Sequence, residues 1–259
     1  GEGCGALVLK PLAQAIRDGD NVLATIVGSA VNHDGRSSGL TVPNGPSQEA
    51  VIRSALSMAK IQPEEVQVIE AHGTGTKLGD PIEVGSLAAV YGVPARQSPL
   101  ILGAVKTNVG HAEGAAGMAQ MLKMVMALQH DLVPAHLHFK QPNEHLVDLN
   151  SIPAIVATKN MPWRFDASRP RYCGMSSFGM SGTNAHVLLS DGVRVPPENK
   201  ASSGSSSVPV QLLCLSAKNK AALLALCQSY VDYFEGLLAS AERPSLADIC
   251  FSAYTCRSH

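Results

Sequence analysis

The sequence predicts an α/β layered fold over residues 1–190. Short apolar runs rich in β-branched residues alternate with longer segments of helical periodicity. Polar turns containing glycine follow two successive predicted strands, at the position where α/β sheets bind their ligands. The chain has 259 residues, 45% of them hydrophobic, which suffices for one core and a small second unit. Alternation of this kind is typical of helices layered on a sheet.

Six strands and three helices are predicted in this part of the chain. The strands cover residues 6–10, 22–30, 66–71, 100–106, 155–157 and 186–189, and the helices cover residues 48–60, 80–91 and 112–130. The helix at 80–91 has the clearest start, with Asp80 at the N-cap, Pro81 in the first turn and Glu83 closing a capping box. The helix at 112–130 is rich in alanine and methionine. It is apolar on most faces, so it is predicted to be buried.

The composition changes after residue 190. Residues 191–207 are mainly proline, serine and glycine with charged residues, which predicts a flexible linker. Periodicity returns in residues 208–259, with a strand predicted at 210–217, a helix at 218–239 and the start of another at 245–254. This partial α/β unit is too short for a complete domain. Because the chain opens without methionine and ends abruptly, we expect it to be a segment of a longer protein.

Several classes of function are disfavoured by composition. The formal net charge of −1 favours neither nucleic acid nor an anionic membrane as partner, and the longest apolar run is too short to cross a bilayer. The six cysteines form no C-x-x-C pair and suggest neither a disulfide framework nor a zinc site, so a reducing, cytoplasmic location is expected. His136 and His138 have no third metal ligand nearby in the sequence, and an extended segment is the preferred interpretation.

The stretch "EAHGTGTKLGDP" at residues 70–81 is the first of three loops whose residues could take part in catalysis or binding. It lacks the G-x-x-x-x-G-K-[ST] pattern of a phosphate loop. A turn between a strand and a helix explains its glycines, but not His72 at the end of a strand with two threonines after it.

The second loop, "KTNVGHAEGAAG" at residues 106–117, repeats this arrangement with His111 at the mouth of a helix. The partial positive charge at a helix start disfavours imidazolium, so His111 is expected to be neutral near pH 7. Two histidines on successive strands favour a shared site over two structural roles.

In the third loop, "SSFGMSGTNAHVLL" at residues 176–189, Phe178 is equally compatible with a core position and with a gate over a pocket.

These three loops together resemble the β-ketoacyl synthases, and most closely the ketosynthase domains of modular polyketide synthases. The earlier segment "VNHDGRSSGLTVPNGPSQ" is similar to the family's substrate entrance, although Asp34 within it is interpreted as a turn residue. The resemblance implies a thiolase-like layered fold of which residues 1–190 form the C-terminal half. Residues 208–259 resemble the start of the adaptor that leads from a ketosynthase to an acyltransferase.

The resemblance implies decarboxylative Claisen condensation, with His72 and His111 as the two active-site histidines. Two neutral imidazole N–H groups would then stabilise the negative charge that decarboxylation builds on the malonyl thioester oxygen. Lys106 matches the family's lysine and is expected to organise the loop through an ion pair with Glu113.

The resemblance also assigns substrate contacts and partners. Thr74 and Thr76 match positions that bind the phosphopantetheine arm, Phe178 matches a gate, and Asn184 matches an amide that fixes a loop. No cofactor is expected to bind directly, since an acyl carrier protein carries the phosphopantetheine. An acyltransferase domain downstream in the same polypeptide and a homodimer of the whole ketosynthase are the other implied partners.

One element of the family pattern is missing. The nucleophilic cysteine lies in a D-x-A-C-S-S motif in the family, and no such motif occurs here. Cys4 leads into an apolar run without a helix start, so a packing role is preferred for it. The segment alone is therefore expected to lack condensing activity. The alternative is a non-catalytic partner, either similar to a chain-length factor or a silent domain that binds carrier proteins.

Overall fold

A computed structural model of the chain describes residues 1–37, 39, 42–143, 153–164, 166, 169–192, 211–238 and 244–255. The chain divides into two compact units, Gly1–Val195 and Pro196–His259. Most of the predicted linker at 191–207 lies outside the described residues, so its flexibility stays a prediction.

A six-stranded mixed sheet forms the centre of the first unit. The strands described in this unit, six of which form the sheet, are β1 (Ala24–His33), β2 (Val66–Glu70), β3 (Leu100–Gly103), β4 (Leu132–Val133), β5 (Ala154–Val156), β6 (Met161–Pro162), β7 (Tyr172–Phe178) and β8 (Thr183–Asp191). The order in the sheet is β1-β8-β7-β2-β3-β5, and β4 pairs with β6 in a separate ribbon. The run β7-β2-β3-β5 is parallel, whereas β8 is antiparallel to both of its neighbours.

The helices are α1 (Leu12–Asp18), α2 (Gly45–Ala59), α3 (Gly79–Tyr91), α4 (Lys106–Val109), α5 (Ala116–Gln129), α6 (Lys220–Leu238) and α7 (Leu246–Thr255). Short 3₁₀ turns precede β2 at Pro63–Glu65 and α5 at Glu113–Ala115. Helices α6 and α7 belong to the second unit. Within the described residues, no helix is both long enough and apolar enough to cross a membrane.

Two hydrophobic cores lie on opposite faces of the sheet. Successive strand residues point to opposite faces, so Val68 and Ile69 of β2 enter different cores. The core on the Ile69 side contains α2 and α3, and the core on the Val68 side contains α5. Trp163 is buried in the latter core. The α/β layered architecture predicted from the sequence is therefore confirmed, with helices on both faces of the sheet.

Some predicted elements are wrong. Residues 6–10 form no strand, and Val8 within them is fully exposed, because no neighbouring strand pairs with this segment. Residues 211–217 also form no strand. Helix α1 and the buried strand β7 were not predicted, and the glycine and serines of β7 weaken its apolar strand pattern. The predicted strand at 100–106 ends at Gly103, and Lys106 begins α4 instead.

Candidate active site

The two histidines predicted to share a site follow neighbouring parallel strands. Glu70 at the end of β2 pairs with Gly103 at the end of β3, so both chains leave the same edge of the sheet. The loop after β2 carries His72, and the short helix α4 after β3 leads to His111. Their ring centroids lie 5.6 Å apart with the ring planes at 88°. The topology thus brings together two side chains that are 39 positions apart in the sequence.

Glu83 of α3 holds the loop that carries His72. Its carboxylate accepts hydrogen bonds from the backbone N–H groups of His72, at 2.7 Å, and Gly73, at 2.9 Å. Gly73 has a φ of +50°, and an added Cβ would lie 2.9 Å from the Cβ of Ala104. The predicted capping box is therefore wrong, because the Glu83 carboxylate bonds to the His72 loop and not to its own helix start.

The second half of the same loop is tied to the start of α3. Leu78 occupies the N-cap, two residues before the predicted N-cap Asp80, because α3 begins at Gly79. The Asp80 carboxylate instead accepts the N–H of Gly75 at 3.0 Å, and the Thr76 hydroxyl accepts the N–H of Gly79 at 3.0 Å. The hydroxyls of Thr74 and Thr76 are 3.4 Å apart. Helix α3 thus fixes both ends of the loop.

Both imidazoles have a hydrogen-bond donor at Nδ1. The His72 Nδ1 lies 3.4 Å from the N–H of Phe178 and 3.5 Å from the Lys106 ammonium. The His111 Nδ1 accepts the backbone N–H of Glu113 at 2.9 Å. A neutral imidazole that accepts at Nδ1 carries its proton on Nε2. Each ring therefore has an Nε2–H group with which it can donate to a substrate.

Glu113 acts through its backbone and not through the predicted ion pair. Among the described residues, no salt bridge joins Glu113 to Lys106. The φ of Glu113 is +46°, which turns its N–H towards His111. Burial lowers the pKa of Lys106, and the carboxylates that oppose this are those of Glu83, Glu70 and Asp80 and not that of Glu113. The prediction of a Lys106–Glu113 pair is wrong, because the lysine points to His72 and the tight turn leaves only the glutamate backbone against His111.

The surroundings keep both imidazoles neutral. Burial, the nearby Lys106 charge and His111 lower the pKa of His72 to about 3. Burial and Lys106 also lower the pKa of His111, against an opposing effect of Glu113. Conversely, burial raises the pKa of Glu83 to about 7, although its two backbone N–H partners oppose this. The site is therefore poised to donate hydrogen bonds from uncharged rings.

We predict that His72 does not titrate in the range of an ordinary histidine. An exposed histidine has a pKa of about 6.5, whereas His72, whose pKa is lowered to about 3, is expected to stay neutral well below that pH. The unfolded chain binds this proton more readily than the folded chain does. His72 therefore leaves the free energy of unfolding undiminished above its pKa in the unfolded chain, and lowers it as the pH falls towards its pKa in the folded chain. The measurement is the NMR shift of the His72 Cε1–H group as a function of pH, with a histidine peptide as reference. A midpoint equal to that of the peptide would contradict the prediction.

Six of the eight predicted site residues line one cavity of about 610 Å³. They are His72, Thr74, Thr76, His111, Phe178 and Asn184. The Phe178 ring is partly buried against the core and lies 5.7 Å from the His72 ring, so the core and cavity interpretations both hold. Lys106 and Glu113 contact the histidines at Nδ1, away from the donor atoms that the cavity can use.

Asp34, interpreted from the sequence as a turn residue, also contacts a residue of the predicted site. The buried amide of Asn184 donates to the Asp34 carboxylate at 2.6 Å and to the side-chain carbonyl oxygen of Asn32 at 3.1 Å. Asp34 lines the cavity with Asn184, so it is more than a turn residue. Gln48, also a lining residue, was assigned only to a helix. No sequence signal could have found these contacts, since the pairing of β1 with β8 brings the residues together over 150 positions.

None of the cavity-lining residues is a cysteine. Cys4 is exposed and lies outside any strand, so the packing role predicted for it is wrong, while Cys173 is buried in the core. In the part of the chain that the structure describes, no group of three or more histidine, cysteine or acidic residues could hold a metal ion.

Comparison with known families gives two matches. The family model of the β-ketoacyl synthase C-terminal domain matches residues 23–140. A CurL-like polyketide synthase C-terminal family matches residues 211–259. The first match contains both histidines, both threonines, Lys106 and Glu113.

Individual relatives are polyketide synthases. One of the proteins that make up the phenolphthiocerol/phthiocerol polyketide synthase of Mycobacterium tuberculosis (strain CDC 1551 / Oshkosh) is 45% identical over 100% of this chain. Polyketide synthase GfsE of Streptomyces halstedii is 43% identical over 99% of this chain. The chain spans 14% of the length of the former and 7% of the latter.

Solved structures give the same result. The ketosynthase from module 6 of the bacillaene synthase of Bacillus subtilis 168 matches with a TM-score of 0.81 and 34% identity, over 96% of this chain and 41% of that one. The oxazolomycin ketosynthase domain OzmH KS7 of Streptomyces albus JA3453 matches with a TM-score of 0.78 and 33% identity, over 93% of this chain and 41% of that one. The thiolase-like fold is thereby confirmed. Residues 23–140 therefore belong to a β-ketoacyl synthase C-terminal domain, and the chain is homologous to the ketosynthase regions of polyketide synthases.

Proposed function

We propose that this chain supplies the decarboxylation site of a polyketide synthase ketosynthase, which condenses a malonyl-type extender with a cysteine-bound acyl chain. The observation that carries this proposal is the pair of neutral imidazoles, 5.6 Å apart, both with a donor at Nδ1 and both lining one cavity. Two Nε2–H groups directed at one oxygen form an oxyanion hole.

The proposed reaction begins with cleavage of the bond between the malonyl α-carbon and its carboxylate. Carbon dioxide leaves, and the electron pair passes through the α-carbon to the thioester oxygen as an enolate. His72 and His111 donate hydrogen bonds to that oxygen without giving up their protons. The enolate carbon then attacks the acyl thioester carbon on the nucleophilic cysteine. A carbon–carbon bond forms, and the cysteine leaves as a thiolate.

The remaining predicted residues have supporting roles in this proposal. Thr74 and Thr76 lie along the cavity and have hydroxyls suited to the amides of a phosphopantetheine arm. Phe178 gates the cavity beside His72, and Asn184 fixes the turn that follows Phe178 through Asp34. An acyl carrier protein delivers both acyl groups, an acyltransferase domain follows in the same polypeptide, and the complete ketosynthase is a cytoplasmic homodimer.

The cysteine nucleophile is assigned to residues outside this chain, because no D-x-A-C-S-S motif occurs in it and no cysteine lines the cavity. We predict that the chain alone forms no β-ketoacyl product from acyl- and malonyl-carrier protein. The complete ketosynthase domain is expected to form that product under the same conditions. Mass spectrometry of the carrier-bound products measures both. Product formed by the chain alone would contradict the assignment, and a complete domain whose nucleophile position lacks cysteine would indicate the non-catalytic alternative.

A further inference from the structure

The end of β2 contains a buried ion pair that the proposed chemistry does not use. Glu70, two residues before His72, has no exposed surface, and Lys123 of α5 is 8% exposed. The Lys123 ammonium donates to Oε2 of Glu70 at 2.6 Å. Burying a carboxylate and an ammonium is unfavourable, and well-packed apolar residues often serve stability as well or better. The pair therefore calls for an explanation other than stability.

The three elements that flank the histidines meet at the Glu70 carboxylate. Oε1 of Glu70 accepts the backbone N–H of Val105, which immediately precedes Lys106 and α4. Oε2 is held by Lys123 of α5, the helix that follows His111. Glu70 itself ends β2, from which the chain continues to His72. One carboxylate thus connects the segments before His72, before His111 and after His111.

Adjacent contacts reinforce this junction. The side-chain amide of Gln120, one turn before Lys123 on α5, donates to the carbonyl of Ala71 at 2.8 Å. The N–H of Ala71 donates to the carbonyl of Gly103 at 2.8 Å. A Cβ added at Gly103 would lie 3.2 Å from the Lys123 ammonium, which shows how closely the ion pair is packed against the end of β3. Backbone pairing already joins β2 to β3, and the ion pair together with Gln120 adds the connection to α5.

We propose that Glu70 and Lys123 are positioning residues that set the spacing between the His72 and His111 rings. This inference rests on the proposed function of the two histidines. Displacement of a reacting or stabilising group by about 1 Å can cost on the order of a hundredfold in rate. The carboxylate and the ammonium act only through the loops, because neither residue lines the cavity.

The test is made in the complete ketosynthase domain, with release of carbon dioxide from malonyl-carrier protein as the assay. The double variant E70Q/K123M removes both charges and keeps an acceptor for the Val105 N–H. We expect its kcat to fall at least about tenfold while KM changes less than about twofold. If the pair were purely structural, the double variant would instead lose thermal stability and keep the kcat of the parent enzyme.

Val68→Ala is the matched control. Val68 lies two residues earlier on β2, points to the same face as Glu70 and is buried, so its truncation destabilises the sheet without touching the junction. It is expected to lower the melting temperature and leave kcat unchanged. If the double variant retains the kcat of Val68→Ala, the proposal is overturned.

Glu70→Asp decides the matter if the double variant does not fold. It keeps both charges but withdraws the carboxylate by one methylene, so kcat is expected to fall although an ion pair remains possible. Full kcat in Glu70→Asp would equally overturn the proposal. His72→Ala in the same assay separates the two ideas, since decarboxylation that survives this change refutes the function of the histidine pair itself.

Discussion

Replacing His72 by alanine is expected to reduce decarboxylation of malonyl-carrier protein by the complete ketosynthase domain at least about a hundredfold. The substitution removes one of two Nε2–H donors from the cavity, and removal of one such donor costs about 2.7–4 kcal/mol of transition-state stabilisation. The acyl transfer to the nucleophilic cysteine is expected to persist, because it builds no charge on the malonyl oxygen. Release of labelled carbon dioxide and mass spectrometry of the acylated enzyme measure the two steps separately.

His130→Ala is the control for this substitution. His130 is an exposed histidine at the C-terminal end of α5 and does not line the cavity. Its replacement is expected to change neither step. Decarboxylation at the parental rate in His72→Ala would show that the paired imidazoles do not stabilise the enolate.

The second large effect is expected at Arg171, a residue that the sequence analysis did not single out. Its side chain is 2% exposed and forms ion pairs with Asp191 and with Asp131, the latter at 2.9 Å. It also donates to the carbonyl of Leu128 at 2.8 Å, and its guanidinium lies 5.2 Å from the centre of the Trp163 ring. The arginine thus joins the start of β7, the end of β8 and the end of α5.

We expect Arg171→Met to lower the free energy of unfolding by about 3–5 kcal/mol. Methionine fills part of the space but leaves the largely buried Asp191 carboxylate without its cation. Urea denaturation followed by circular dichroism measures the loss. Arg53→Met is the matched control, because Arg53 is more than half exposed and its pair with Glu49 is 3.9 Å long. The control is expected to change the free energy of unfolding by less than about 1 kcal/mol, and an equally small change in Arg171→Met would contradict the prediction.

The sequence alone predicted the α/β layering and six of the residues that line the cavity. Strand and helix periodicity follows from which side chains face a core, so it is written locally in the chain. The two histidines could be found because each lies just after an apolar strand run, within a motif that resembles one family. Sequence patterns also located most helices to within a few residues, including α2 and α5.

Only the tertiary structure decided how the site is held. Glu83 looks like a helix cap in the sequence, yet its carboxylate bonds to the His72 loop 10 and 11 positions earlier. The tautomer of the His72 imidazole depends on an N–H group supplied by another segment, and Asp34 meets Asn184 because β1 pairs with β8. The buried charges of Glu70 and Lys123 come together from β2 and α5 over 53 positions. Such partners are chosen by strand order and helix packing, and these long-range contacts leave no periodic trace in the sequence around either residue.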